Sequence, residues 1–228
     1  AQERLEEGKW LLSFEEAELL KERLEEFGLP PLPPYIERRQ ASDLQNEEDR
    51  ERYQTCFASE PGAIAAPTAG LHFTPEILSA IRKRGIDILE VTLHVGLGTF
   101  SSIEVEEIRQ HKMHTEFFSV TSQTLEQLKK YRLNQKKIIC LGTTSVRVLE
   151  TLAQQNFQHS SGWTDIFIHA PYEFRMMAGL LTNFHLPKST LMILVSAFCG
   201  RDFLLSAYKQ AIDHNYRFFS YGDCMLIL

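Results

Sequence analysis

The chain has 228 residues and a mass of 26.3 kDa, with 43% hydrophobic and 11% aromatic content, enough apolar material for one large domain and too much for a disordered protein. Its formal charge of −6 excludes a uniformly basic nucleic-acid binder, yet residues 1–60 hold 8 Lys+Arg against 16 Asp+Glu while residues 61–228 hold 16 against 14. A local phosphate-binding surface in the later part is compatible with that split.

Ala1 is not an initiator Met, and the polar start reads as that of a fragment or a mature product. Ser13-Phe14-Glu15-Glu16 has capping-box spacing and predicts an amphipathic helix over 14–27, stopped by Gly28 and Pro30. PPLPPY, residues 30–35, must be extended, because proline lacks an amide donor and restrains its predecessor. The charged stretch 37–52 predicts a solvated helix or loop, so residues 1–28 are expected to be a remnant or linker helix region and 29–228 the main domain.

From Tyr53 the texture changes. Thr74 as N-cap, Pro75 at the first helical position and Gly85 as the stop predict a helix. Strands are predicted for IDILEVTLHV (86–95), near 114–120, KKIICLG, TDIFI, AGLLTNF and RFFSYG, with helices to about Tyr131, after Gly142, from Ser189 and from Asp202 to His214. This alternation predicts an α/β fold: a mostly parallel sheet flanked by helices, with sites where strand C-termini deliver loops.

Three phrases, LHFT, LHVG and FHLP, set His72, His94 and His185 between apolar neighbours beside a loop or helix start. Core packing or capping explains any one of them; three in like settings also suit acid–base or hydrogen-bonding roles. None stands in HExxH, and His111 and His114 lack a third local ligand, so no metal is expected. Gly96 and Gly98 permit close backbone approach before Thr99 and Phe100. Gly142-Thr143-Thr144-Ser145 after a buried strand offers amides and hydroxyls at a helix start, with Arg147 one turn on, either as an anion site or as ordinary capping. Trp163, before the TDIFI run, is a core residue or a stacking surface. Arg82–Arg84, Lys129, Lys130, Lys136, Lys137 and Arg175 are ordinary surface unless they converge on RNA. Cys56, Cys140, Cys199 and Cys224 form no CxxC pair or disulfide framework, and the apolar run 191–198 is far below the roughly 20 residues that cross a bilayer; a reducing, cytoplasmic setting without a membrane is expected.

APTAGLHFT (66–74), TLHVGLGTF (92–100), GTTSVRVLE (142–150), SGWTDIFI (161–168) and TNFHLPKSTLMILVSAFCG (182–200) together resemble the blocks of the S-adenosylmethionine:tRNA ribosyltransferase-isomerases. The resemblance runs over about residues 29–228 and implies an α/β domain whose companion β-barrel, inserted toward the N-terminal half in the family, is largely absent here. It implies transfer and isomerisation of the ribosyl part of S-adenosylmethionine onto 7-aminomethyl-7-deazaguanine at the wobble position of a tRNA with a GUN anticodon. The products are epoxyqueuosine-tRNA, adenine and methionine; a monomer is expected. By block, it carries over to His72 and Thr74, to His94, Gly96, Gly98 and Thr99, to Thr143, Thr144 and Arg147, to Ser161, Gly162 and Trp163, and to Asn183, His185, Pro187 and Lys188.

Within that resemblance, His94 or His185 is the expected base or proton relay, Arg147 meets the methionine carboxylate, residues 142–145 orient it, and Trp163 or Phe100 stacks adenine or the deazaguanine. A tRNA-gripping module without catalysis, a methyltransferase and a structural domain that uses its histidines for packing remain as alternative readings.

Overall fold

The computed structural model describes residues 2–4, 10–38, 43–96, 98, 103 and 105–228. Its elements run β1 (Glu3–Arg4), β2 (Trp10–Leu11), α1 (Ala17–Phe27), α2 (Asp43–Arg52), α3 (Pro75–Lys83), β3 (Thr92–His94), β4 (Glu116–Ser119), α4 (Ser122–Leu133), β5 (Ile138–Leu141), α5 (Gly142–Gln154), β6 (Ser161–Thr164), β7 (Met177–Asn183), α6 (Thr190–Cys199), α7 (Arg201–Asp213) and β8 (Cys224–Ile227). Short 3-10 turns lie at Thr68–His72 and Ile108–Gln110.

Local chemistry sets several boundaries. Thr74, Thr121 and Ser189 each accept a hydrogen bond from a first-turn amide, of Ile77, Thr124 and Met192, and so start α3, α4 and α6. The capping box expected at Ser13 does not form: α1 begins at Ala17 with no side-chain cap. β3 is three residues rather than ten, and TDIFI and RFFSYG are not strands; the chain pairs instead at Ser161–Thr164 and Cys224–Ile227.

The expectation of a mostly parallel sheet is corrected. One sheet, ordered β3-β4-β6, is antiparallel throughout; the other, β5-β7-β8, joins a parallel pair β5/β7 to an antiparallel pair β7/β8; β1 and β2 make a small antiparallel pair. Strand–helix alternation shows that crossovers are available, as α5 is between β5 and β7, but not which sheet each strand joins. β6 leaves that succession to pair with β4.

α5 packs against β5 and β7 and also against β3 and β6, so it is held between the two three-stranded sheets. Every residue from Val146 to Ala153 is buried accordingly. Phe118, Val146, Val148, Leu152, Phe157, Leu180 and Val195 form the centre of the core, and Leu204, Tyr208 and Ala211 seat α7 on it. Among the described residues no single helix is long and apolar enough to cross a membrane.

Candidate functional site

A cavity of about 410 Å³ opens where the exits of β5 and β7 meet the inner face of β3. That volume falls in the range of small-molecule sites. Strand alternation selects which β3 residues reach it: Leu93 and Val95 line it and are buried. His94 therefore points to the other face, where its ring stacks on Phe117 at 5.9 Å.

The first turn of α5 forms one wall through Gly142, Thr143 and Thr144. Gly142 has φ +81°, a left-handed conformation that reverses the chain from β5 into the helix. Its N-cap, Leu141, makes no side-chain cap; Ser145 Oγ donates back to the carbonyl of Leu141 at 2.7 Å. First-turn amides and the positive end of a 13-residue helix thus border the cavity.

Arg147, one turn on, also lines it and is 5% exposed. Its Nη1 donates to Glu116 Oε2 in a buried ion pair, and the amide of Gly96 donates to Glu116 Oε1 at 3.0 Å. Nε and Nη2 of Arg147 are buried and have no acceptor among the described residues. Period-two alternation again explains the partner: Glu116 shares the inner face of β4 with Phe118, toward α5.

The exit of β7 supplies the opposite wall. Asn183, 3% exposed, accepts from the Thr68 hydroxyl at 3.0 Å, and its Nδ2 lies 3.4 Å from His72 Nε2. His72 thus adjoins the cavity through Asn183. His185 lines it; its Nε2 is 2.8 Å from Thr182 Oγ1, and its amide donates to the Tyr208 hydroxyl at 2.7 Å. Surrounding protein pushes the imidazole pKa down to about 4, although the residue keeps some accessible surface. Lining a cavity reconciles the two, since that surface is small and the charged form still loses most of its bulk hydration. His185 is uncharged at neutral pH.

Tyr35, Tyr53, Phe219 and Ser220 close the remaining side, and none was singled out from the sequence. Tyr35 and Phe219 rings lie 5.2 Å apart, and the Tyr35 and Ser220 hydroxyls are 2.6 Å apart. Burial raises the Tyr53 phenol to about 12. Behind this wall Arg38 donates twice to the buried Asp49, at 2.6 and 3.1 Å, and Tyr221 donates to the same carboxylate at 3.3 Å. PPLPPY was a visible signal for an extended segment, but its contact with residues 219–220 is non-local.

Of the residues expected from sequence, the structure gathers Thr143, Thr144, Arg147, Asn183 and His185 on one cavity. His94, Gly96, Gly98 and Trp163 are not among its lining residues. Trp163 is 65% exposed, on the outer face of the β3-β4-β6 sheet in edge contact with Phe117. Gly96 reaches the site only through Glu116, and a side chain at Gly98 would overlap the His114 ring. Thr99 and Phe100 lie outside the described residues.

Residues 1–227 match a sequence model of the family described as queuosine biosynthesis protein. The S-adenosylmethionine:tRNA ribosyltransferase-isomerase of Sulfurihydrogenibium sp. (strain YO3AOP1) is 53% identical over 209 residues, 92% of this chain and 60% of that protein. Its counterpart from Staphylococcus epidermidis (strain ATCC 12228) is 49% identical over 228 residues, 99% of this chain and 65% of that protein. The crystal structure of S-adenosylmethionine tRNA ribosyltransferase from Thermotoga maritima superposes with a TM-score of 0.57 at 43% identity, covering 70% of this chain and 51% of that one. The chain spans less than two thirds of the length of these relatives. With its cavity-lining blocks inside the matched region, the chain belongs to the queuosine biosynthesis protein family.

Proposed function

We propose that this chain binds S-adenosylmethionine in the cavity and acts as a ribosyltransferase-isomerase on tRNA. The acceptor is 7-aminomethyl-7-deazaguanine at the wobble position of a GUN anticodon, and the products are epoxyqueuosine-tRNA, adenine and methionine. Residues 29–228 form the catalytic α/β domain in this reading. One observation carries it: Arg147 is a nearly fully buried cation in the cavity wall, with Nε and Nη2 lacking acceptors among the described residues, beside a helix N-terminus whose N-cap, Leu141, makes no side-chain hydrogen bond. Such a corner is suited to a carboxylate, which the methionine part of the substrate provides.

The other groups follow from position. Tyr35 and Phe219 offer aromatic surface to a planar base at the far side. Asn183 is oriented by Thr68 and His72. His185, rather than His94, takes the proton-relay role, because it lines the cavity and is in its accepting form at neutral pH. A base with so low a pKa holds a received proton briefly, which fits relay better than storage. Trp163 presents an open ring to an unpaired base of the anticodon loop, where base–aromatic stacking contributes about 1–3 kcal/mol.

Incubation with S-adenosylmethionine and tRNA carrying the aminomethyl base, followed by identification of small-molecule products, tests the reading. Adenine and methionine support it. S-adenosylhomocysteine indicates a methyltransferase instead, and salt-sensitive tRNA binding without adenine release indicates a binding module.

A further inference from the structure

Arg147 has two faces, and among the described residues only one is occupied. A guanidinium presents five N–H donors in a planar fork. The edge made by Nε and the adjoining Nη2 binds a carboxylate or phosphate through two parallel hydrogen bonds. In this protein Glu116 accepts from Nη1, leaving that whole side-on edge buried and without an acceptor among the described residues. An unpaired buried donor costs about 1–3 kcal/mol, so leaving this edge without an acceptor carries an energetic cost.

Glu116 is itself oriented from the opposite side. It is 4% exposed, stands at the start of β4, and accepts from the Gly96 amide through Oε1 while Oε2 takes Nη1. Its carboxylate thereby links Gly96, just after β3, to α5. No motif in the sequence marks this residue; only the alternation of HTEFFS places it on the inner face with Phe118.

We infer that Glu116 is a positioning residue: by engaging Nη1 and the Gly96 amide it fixes the rotation of the Arg147 guanidinium and dedicates the Nε–Nη2 edge to the carboxylate of a sulfonium nucleoside. The inference rests on the reading of the cavity as an S-adenosylmethionine site. A tRNA phosphate would satisfy the same fork, and the two sources differ in what they do to small-molecule discrimination.

The test is calorimetric binding of S-adenosylmethionine and of its decarboxylated analogue, with thermal melting of every variant as the fold control. The unsubstituted protein binds the carboxylate-bearing ligand at least about tenfold more tightly, as expected for a charge-assisted bidentate pair. In Glu116→Gln, which keeps the shape and the bond to Gly96 but loses the charge facing Nη1, the ratio falls to within about threefold, chiefly by weaker binding of S-adenosylmethionine. Glu116→Asp retains the charge and recovers part of the ratio. Because removing one member of a buried pair can unfold a protein, Glu116→Gln/Arg147→Met removes both, and its ratio also falls to near unity.

A folded Glu116→Gln with the unsubstituted ratio overturns the inference. So does equal weakening of both ligands, which would mark a merely structural residue, or a double variant that keeps its preference for the carboxylate. Loss confined to tRNA affinity overturns it in favour of a phosphate. If the unsubstituted protein binds neither nucleoside, the reading of the cavity fails first.

Discussion

Thr182 Oγ1 and His185 Nε2 lie 2.8 Å apart across the exit of β7, joining the end of a core strand to the one histidine that lines the cavity. Because the His185 pKa is pushed down to about 4 by enclosure, the folded protein resists protonation over a range where the unfolded chain accepts it. The unfolded state then binds more protons between about pH 6.5 and pH 4, so stability falls as pH falls through that window, by up to about 3 kcal/mol for this group. Thermal melts from pH 7 to pH 4 should show that slope, and His185→Asn should flatten it. Equal slopes in both proteins would remove the assignment.

Arg147 and His94 should separate cleanly under substitution. Arg147→Met is expected to weaken S-adenosylmethionine binding at least about tenfold, the cost of a charge-assisted contact. His94→Ala should alter the same affinity by less than about twofold, since His94 faces away from Leu93 and Val95. A larger effect at position 94 in a folded protein would mean that the outer face of β3 takes part in binding.

The Arg38–Asp49 pair holds the tyrosine wall from behind. The guanidinium keeps the Asp49 pKa below the ordinary aspartate value, so the stability it confers is present at neutral pH and is lost as pH falls through the depressed folded value. Arg38→Met leaves a buried carboxylate with Tyr221 as its remaining hydrogen-bond donor among the described residues and the Arg52 charge nearby, and should cost about 2 kcal/mol by denaturant titration at pH 7, less than a fully enclosed pair because Arg38 is partly exposed. The acid limb of its stability curve should shift to higher pH.

Gly62 sits against the His94 ring. With φ +140° it occupies a region that disfavours side chains, and a Cβ there would come 2.5 Å from His94 Nδ1. Gly62→Ala should therefore lower stability by more than about 1 kcal/mol. Adding His94→Ala removes the overlap but not the backbone strain, so the double variant should recover only part of the loss. Full recovery would show that the clash alone mattered.

What the sequence determined by itself was local. Thr74 followed by Pro75 specified the start of α3, the short apolar runs in KKIICL and AGLLTN specified β5 and β7, and the ordered blocks specified the family. These signals depend on capping groups, side-chain periodicity and chain stiffness, which act within a few residues. The alternation in TLHV already implied that His94 and the pair Leu93 and Val95 face opposite ways, but it did not say which face bordered a cavity. Sheet direction, the meeting of Arg147 with a carboxylate 31 positions earlier and the arrival of Tyr35 beside Ser220 were decided only by the tertiary structure. Each is a pairing across long stretches of chain, where burial and the need to satisfy polar groups choose among partners that local sequence leaves equivalent.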